Sequence, residues 1–430
     1  MKLLIRALPL LLGGALGAAG ADPMPSLTLK AAHELAIRNH PLITVADLKA
    51  LASRETVKEM RSGFFPMLSA NAVAVGTTGN NTRLEAIGAL NNPSIFDRNA
   101  EGLMLSQLIT DFGRTANLTG SARLEAEAAA NAAQATREQI LLEVDGAFYS
   151  AQQAQAVTTV ARQTITARQA FLDQVAGRAS HNLSSELDVS FARVNLDDAR
   201  LLLSKAQNDL DASFARLADL LGLRESKSFN LIEEPLPPEV STNASDFIRQ
   251  ALEFRPDLLS LRNQQDAALK LARAERDARL PTIAAVGAAG VSPIHDEALP
   301  DEYAAAGVVL NVPIFAGGLY VARQRRAELE AQADQANLRV LEDDVVRDVR
   351  IAWLNAQNAF DRFRISQELL ENARQSYDLA QARYKNGLTS IAEFNQAQLN
   401  LISAQISVAT TQYEYLIQRS ALTYQTGTLR

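Results

Sequence analysis

Residues that are small or apolar, except for Arg168, fall at alternating steps of four and three in the second quarter of the chain: Ile140, Val144, Ala147, Ala151, Ala154, Thr158, Ala161, Ile165, Arg168, Leu172 and Val175. This is a heptad seam, and its strict repeat predicts left-handed supercoiling. No proline interrupts Arg114 to Gly177. As one helix at 1.5 Å per residue that stretch is about 95 Å long, beyond any globular core. The seam recurs 205 residues later at Val345, Val349, Ala352, Ala356, Ala359, Phe363, Ser366, Leu370, Ala373, Tyr377 and Ala380. So many alanines call for closely spaced helices in a multi-helix wall, since a solitary dimeric coil favours Leu and Ile.

The same offset sets "LSQLITDFGR" (from Leu105) on "LNVPIFAGGL" (from Leu310) and pairs Arg178 with Arg383, Ala192 with Ala397 and Gly222 with Gly427. Upstream the offset is 215, pairing Pro41 with Pro256 and Pro66 with Pro281, so the first half carries ten extra residues. They fall in "GTTGNNTRLEAIGALNNPS" (76–94), punctuated like a long loop. The pattern predicts two internal repeats, 22–222 and 247–430, joined by a connector at 223–246 with a small strand at Phe229 to Ile232. Each repeat reads as a helix, a strand pair, a long helix and a return helix. The strands are expected at about 66–79 and 99–110, then 281–292 and 302–314. The long helices are expected at 114–178 and 318–385, and the return helices at 184–222 and 390–427. Pro66 and Pro281 end the first helices, roughly Leu42 to Ser62 and Leu258 to Arg279. Gly113 and Gly318 mark strand–helix junctions; Asn182-Leu183 and Asn386-Gly387 mark hairpin turns.

Composition narrows the class. Hydrophobic residues are 47% and charged ones 21%, which fits neither a disordered chain nor a helical membrane protein. A net charge of −7 argues against nucleic acid, which needs clustered Lys and Arg. Cysteine is absent, which removes disulfides, thiolate metal sites and a lipobox, so no lipidation is expected. Lys2 and Arg6 precede the apolar run "ALPLLLGGALGAAGA", which ends in an A-x-A pattern, so residues 1–21 read as a signal peptide. Its removal takes two positive charges from the −7 of the full chain and leaves −9. No other run reaches the roughly 18 apolar residues of a membrane-spanning helix. His33, His40, His181 and His295 lack metal-ligand spacing, and no G-x-S-x-G or phosphate-binding loop occurs. Neither an enzyme nor a cofactor is expected.

Strands of about ten residues suit a tilted crossing of a bilayer. Four cannot close a barrel, because even small barrels use about eight, and an open sheet in lipid leaves backbone groups unpaired. An exported chain with four such strands must pool them with other copies. Three copies give twelve strands, with the long helices forming one cylinder beneath. At this point "RYKNGLTSIAEFNQAQ" at the second turn, "LNVPIFAGG" entering the second long helix, and "RNHPLITVADLKALASRETVKEMRSGFFPMLSANA" near the start come into view. With these motifs the chain resembles the TolC-type outer-membrane channels of efflux pumps and type I secretion systems.

The resemblance implies a mixed α/β membrane protein. A trimeric twelve-stranded β-barrel would sit in the bacterial outer membrane, continuous with a long periplasmic α-helical coiled-coil barrel ending in a tapered tip. It also implies partners: a periplasmic adaptor (membrane fusion) protein and an inner-membrane transporter of RND, ABC or MFS type. Substrate would be conducted passively, with selection made in the transporter. The competing reading is a periplasmic coiled-coil adaptor, which needs one hairpin flanked by β domains rather than duplicated strand pairs. Some family members carry a tail beyond the last helix; this chain stops three residues past Gly427, so a smaller equatorial collar is expected.

The resemblance also singles out the tip. Glu393 matches the first acidic position of a ring that narrows the periplasmic entrance, while the second is Gln396, so three carboxylates are expected rather than six. The family's Tyr is kept as Tyr384, but its Arg is Thr389, which removes a salt bridge to the Asp that matches Asp188. Hydrogen bonds from Tyr384 or Thr389 to Asp188 are expected in its place. A local reading competes: Ser185/Asp188 and Ser390/Glu393 both have capping-box spacing. Phe64, Phe65, Phe112 and Phe315 read as an interfacial aromatic girdle. Trp353 reads as helix packing, and "ARQRRAE" (from Ala322) as a solvated helix face.

Overall fold

The structure, a computed structural model, describes residues 26–76, 98–181, 184–225, 228–295 and 300–429. The expected signal peptide, nearly all of the 76–94 loop, and the turn residues Asn182 and Leu183 lie outside the described residues.

Four strands form one antiparallel sheet in the order β2 (Met67–Val75), β3 (Arg98–Thr110), β5 (Thr282–Ile294) and β6 (Glu302–Asn311). The last of these stops short of the expected 314, because Pro313 has no N–H for a ladder and fixes its φ. β2 and β6 are the outer strands, and each leaves one edge unpaired among the described residues. No helix among the described residues is long and apolar enough to cross a membrane.

Long helices descend from the sheet. α3 (Arg114–Ser180) and α7 (Leu319–Lys385) have 67 residues each; α4 (Glu186–Leu220) and α8 (Ile391–Gln425), which return from them, have 35 each. Every position of both heptad seams is buried or half-buried, as close packing of alanine-rich faces requires. Hydroxyls tie the pairs where two helices approach: Thr158 Oγ1 donates to the Ala206 carbonyl at 3.2 Å, and Ser366 and Thr411 share a hydrogen bond at 2.8 Å.

The first helix of each half is broken in two, which was not expected. α1 (Leu29–Asn39) precedes α2 (Pro41–Ser62), and α5 (Ala244–Phe254) precedes α6 (Pro256–Asp277). Proline at the first helical position holds His40 and Arg255 in extended backbone, so each pair turns a corner there. Gly222 and Gly427 press against those corners. A Cβ at either would lie 2.8 Å from Asn39 or Arg255, and their φ values of +68° and +70° favour glycine independently. The short strand of the connector, β4 (Asn230–Leu231), pairs in parallel with β1 (Ser26–Leu27). Around it Leu27, Ile43, Phe148, Phe214 and Phe229 form the main core, at the waist of the helices.

Beside the sheet the helices lie in the order α2–α3–α6–α7, and beyond the waist in the order α4–α3–α8–α7. One flank of the chain is therefore β2, α2 and α4, and the other is β6 and α7. Trp353 packs at the waist, its indole N–H donating to the Ser241 carbonyl at 2.9 Å. Arg325 and Arg326 pair along their own helix with Glu328 and Glu330, as a solvated face does. Phe64, Phe65, Phe112 and Phe315 are all exposed where strands meet helices.

Candidate functional site

The second hairpin turn follows from its backbone requirements. Gly387 has a φ of +72°, Leu388 N–H donates to the Arg383 carbonyl at 2.9 Å, and Gly387 N–H donates to Tyr384 at 3.0 Å. This pair of bonds is the Schellman motif, which satisfies the last carbonyls of α7. Asn386 adds a side-chain bond to the Ala382 carbonyl at 2.8 Å. Ser390 then starts α8, its hydroxyl accepting Glu393 N–H at 3.3 Å.

The two tips are not capped alike. In the first, Ser185 and Asp188 form a full capping box: Asp188 N–H donates to Ser185 Oγ at 3.1 Å, and Asp188 Oδ2 accepts Ser185 N–H at 3.0 Å. Ser184 Oγ donates to the same oxygen at 3.0 Å. In the second only half the box forms, because the Thr389 hydroxyl donates to Glu393. The expectation that Thr389 or Tyr384 would bond Asp188 is therefore corrected. The Asp188 carboxylate is occupied by its own helix start, and the Thr389 hydroxyl is taken by Glu393 four residues on. Glu393 is exposed, and Gln396 turns along its helix to donate to Asn400 at 2.9 Å.

The Ser185 backbone N–H, with the hydroxyls of Ser185 and Ser184 and the charge of Arg178, holds the Asp188 carboxyl below its ordinary value although burial pushes it up. A depressed carboxyl stabilises the fold above its unfolded pKa, near 4, and loses that contribution as pH falls through the lower folded value. The protection factors of the Ser185 and Asp188 amides, taken against the intrinsic exchange rate at each pH, should accordingly be constant above about pH 5 and fall below about pH 4. Asp188→Asn should remove the pH step, and a step that persisted in that variant would assign it elsewhere.

Beside the turn Tyr384 is half-buried, and its phenol is pushed up chiefly by burial, with Asp188 adding and Arg178 opposing. Its ring stacks on Phe394, centroids 5.3 Å apart and planes at 14°. Phe171 and Tyr377 complete a cluster around Phe394 that was not anticipated from the sequence.

At the other end of the long helices, Gly113 and Gly318 begin α3 and α7 with φ values of +108° and +85°. Asp111 fastens the first junction, accepting Gly113 N–H at 3.2 Å and Thr115 N–H at 2.7 Å. Ala316 stands at the matching place in the second junction and offers no such cap. Pro66 and Pro281 lie immediately before β2 and β5.

Four strands feeding two long hairpins whose tips carry these residues can be set beside known proteins. The family model described as outer membrane efflux protein matches residues 32–223 and 247–428. The chain belongs to the outer membrane efflux protein family. Outer membrane protein TolC of Escherichia coli (strain K12) is 24% identical over 394 residues, covering 88% of this chain and 78% of that protein. Protein CyaE of Bordetella pertussis is 26% identical over 391 residues, covering 90% and 81%. Among solved structures, CusC superposes with a TM-score of 0.77 at 20% identity, covering 93% of this chain and 92% of that one. VceC from Vibrio cholerae superposes with a TM-score of 0.76 at 18% identity, covering 93% and 96%. The family match removes the coiled-coil adaptor reading.

Proposed function

We propose that the chain is one protomer of a trimeric outer-membrane channel. It would conduct substrate passively from an adaptor and an inner-membrane transporter of RND, ABC or MFS type to the cell exterior, in a tripartite efflux pump or a type I secretion system. The observation that carries this is that the same two flanks are left unpartnered at every level. In the sheet the edges left free among the described residues are β2 and β6. On one flank α2 exposes Leu42, Val45, Leu48 and Leu51, and α4 exposes Leu187, Phe191, Val194 and Leu201. On the other, α7 exposes Ile351, Leu354, Ile365, Leu369 and Leu379. Contiguous apolar stripes on one monomer mark an interface, and sheet edges in lipid must be paired.

Further copies of the chain meet both demands, joining β6 and α7 of one to β2, α2 and α4 of the next. Two copies would give eight strands, whose interior side chains nearly fill the barrel; three give twelve and leave a lumen. Within this reading the chain consists of two structural repeats around the connector at 223–246. The matched lengths of α1 and α5, α2 and α6, α3 and α7, and α4 and α8 support that division.

Protein extracted in detergent should cross-link no further than three chains. In planar bilayers under a KCl gradient it should pass current with a preference for cations, since Asp and Glu number 49 against 42 Lys and Arg. A stable monomer that keeps its β signal would end the channel reading, and anion selectivity would end the electrostatic one.

A further inference from the structure

Beyond the waist the two hairpins of one chain meet along α3 and α8. Among the described residues, no hydrogen bond or ion pair joins 153–220 to 355–425. Near the tip the junction is closed by rings. Phe394 of α8 is 2% exposed. Its centroid lies 5.0 Å from Phe171 of α3, 5.3 Å from Tyr384 and 5.7 Å from Tyr377. Phe171 also meets Tyr384 at 5.7 Å. The first hairpin supplies one ring of the cluster, and the second supplies the other three.

We infer that Phe171 is a positioning residue that holds the second hairpin against the first at the entrance, and that its contact with Phe394 and Tyr384 sets how readily the two hairpins part. The inference rests on the channel reading above. Phe394 directly follows Glu393 in the first turn of α8, so seating its ring also fixes where the Glu393 carboxylate stands. A clasp of rings carries no net charge, and salt does not screen it as it screens an exposed ion pair. Loss of an aromatic contact of this kind shifts an equilibrium by about fivefold. If three chains open together, the shifts multiply to about a hundredfold.

The chain has no cysteine, so introduced ones can be labelled cleanly. Spin labels at Ala170 and Leu399, both exposed, report the separation of α3 and α8 in trimers diluted with unlabelled chain. Phe171→Ala should lengthen and broaden that distance, Phe171→Leu should fall between, and Phe171→Tyr should match wild type. In bilayers Phe171→Ala should raise the open fraction ten- to a hundredfold, equally at about 0.1 and 1 M KCl. Wild-type distances and opening in Phe171→Ala would overturn the inference. So would loss of the trimer, which would make the ring merely structural. If distances change as expected while neither protein passes current, the channel reading fails and the clasp stands.

Discussion

A chain carrying Val194→Asp and Leu201→Asp is expected to keep its helices and fail to trimerise. Both residues sit on α4, the outer helix of one flank, and are 59% and 70% exposed in the isolated chain. Among the described residues nothing covers them, so their substitution should cost the monomer little. In the assembly they would face α7 of the next copy. Burying a Val or Leu side chain contributes about 1.5–3 kcal/mol, and that gain would be lost twice at each of three interfaces. A carboxylate closed into the same apolar contact without a partner adds a penalty of several kcal/mol. The sum exceeds the margin by which most assemblies hold. Detergent cross-linking should shift from three chains to one, with the helical circular dichroism retained. Gln163→Asp, on α3 rather than on a flank, serves as the control. A full yield of trimer from the double variant would show that α4 does not face a neighbour, and the proposed arrangement of flanks would fall with it.

How much of this molecule was legible beforehand depended on distance along the chain. The heptad seams of α3 and α7 were readable because each is one helix, and a local period survives folding intact. The shared offset was readable because the matching helices are equal in length. The split first helices were missed. Residues 29–39 are too few to show a period, and the better signal was that Thr28 and Asn243 stand 215 apart and both cap a helix. At the tip the Ser185–Asp188 box was legible from spacing. The Thr389–Glu393 bond is equally local, yet spacing alone does not choose between it and a bond across the hairpins. The ring cluster had no sequence signal: Phe171 and Phe394 belong to different hairpins, and only the packing of α3 on α8 brings them together.

Glu393→Gln is expected to weaken block by a trivalent cation applied from the periplasmic side by tenfold or more, while leaving the trimer nearly as stable. The side chain is exposed at the start of α8, and one of its oxygens accepts the Thr389 hydroxyl. Among the described residues the other oxygen has no hydrogen-bond partner. Gln396, which could have supplied further charge, is neutral and turned toward Asn400. In a trimer the entrance would therefore hold three carboxylates from Glu393 and none from Gln396. Like charges held close together gain most from one shared multivalent counterion, which is why a trivalent ion should seat there. Glutamine keeps the length of the side chain and an oxygen for the Thr389 hydroxyl, so the local geometry survives and only the charge goes. The cap from Ser390 to the residue 393 amide does not involve the carboxylate at all. An exposed charge of this kind contributes at most about 1 kcal/mol to stability, so trimer melting should hardly move. Block of the variant equal to that of wild type would leave Glu393 as a helix-start residue and place the cation-binding entrance on other side chains.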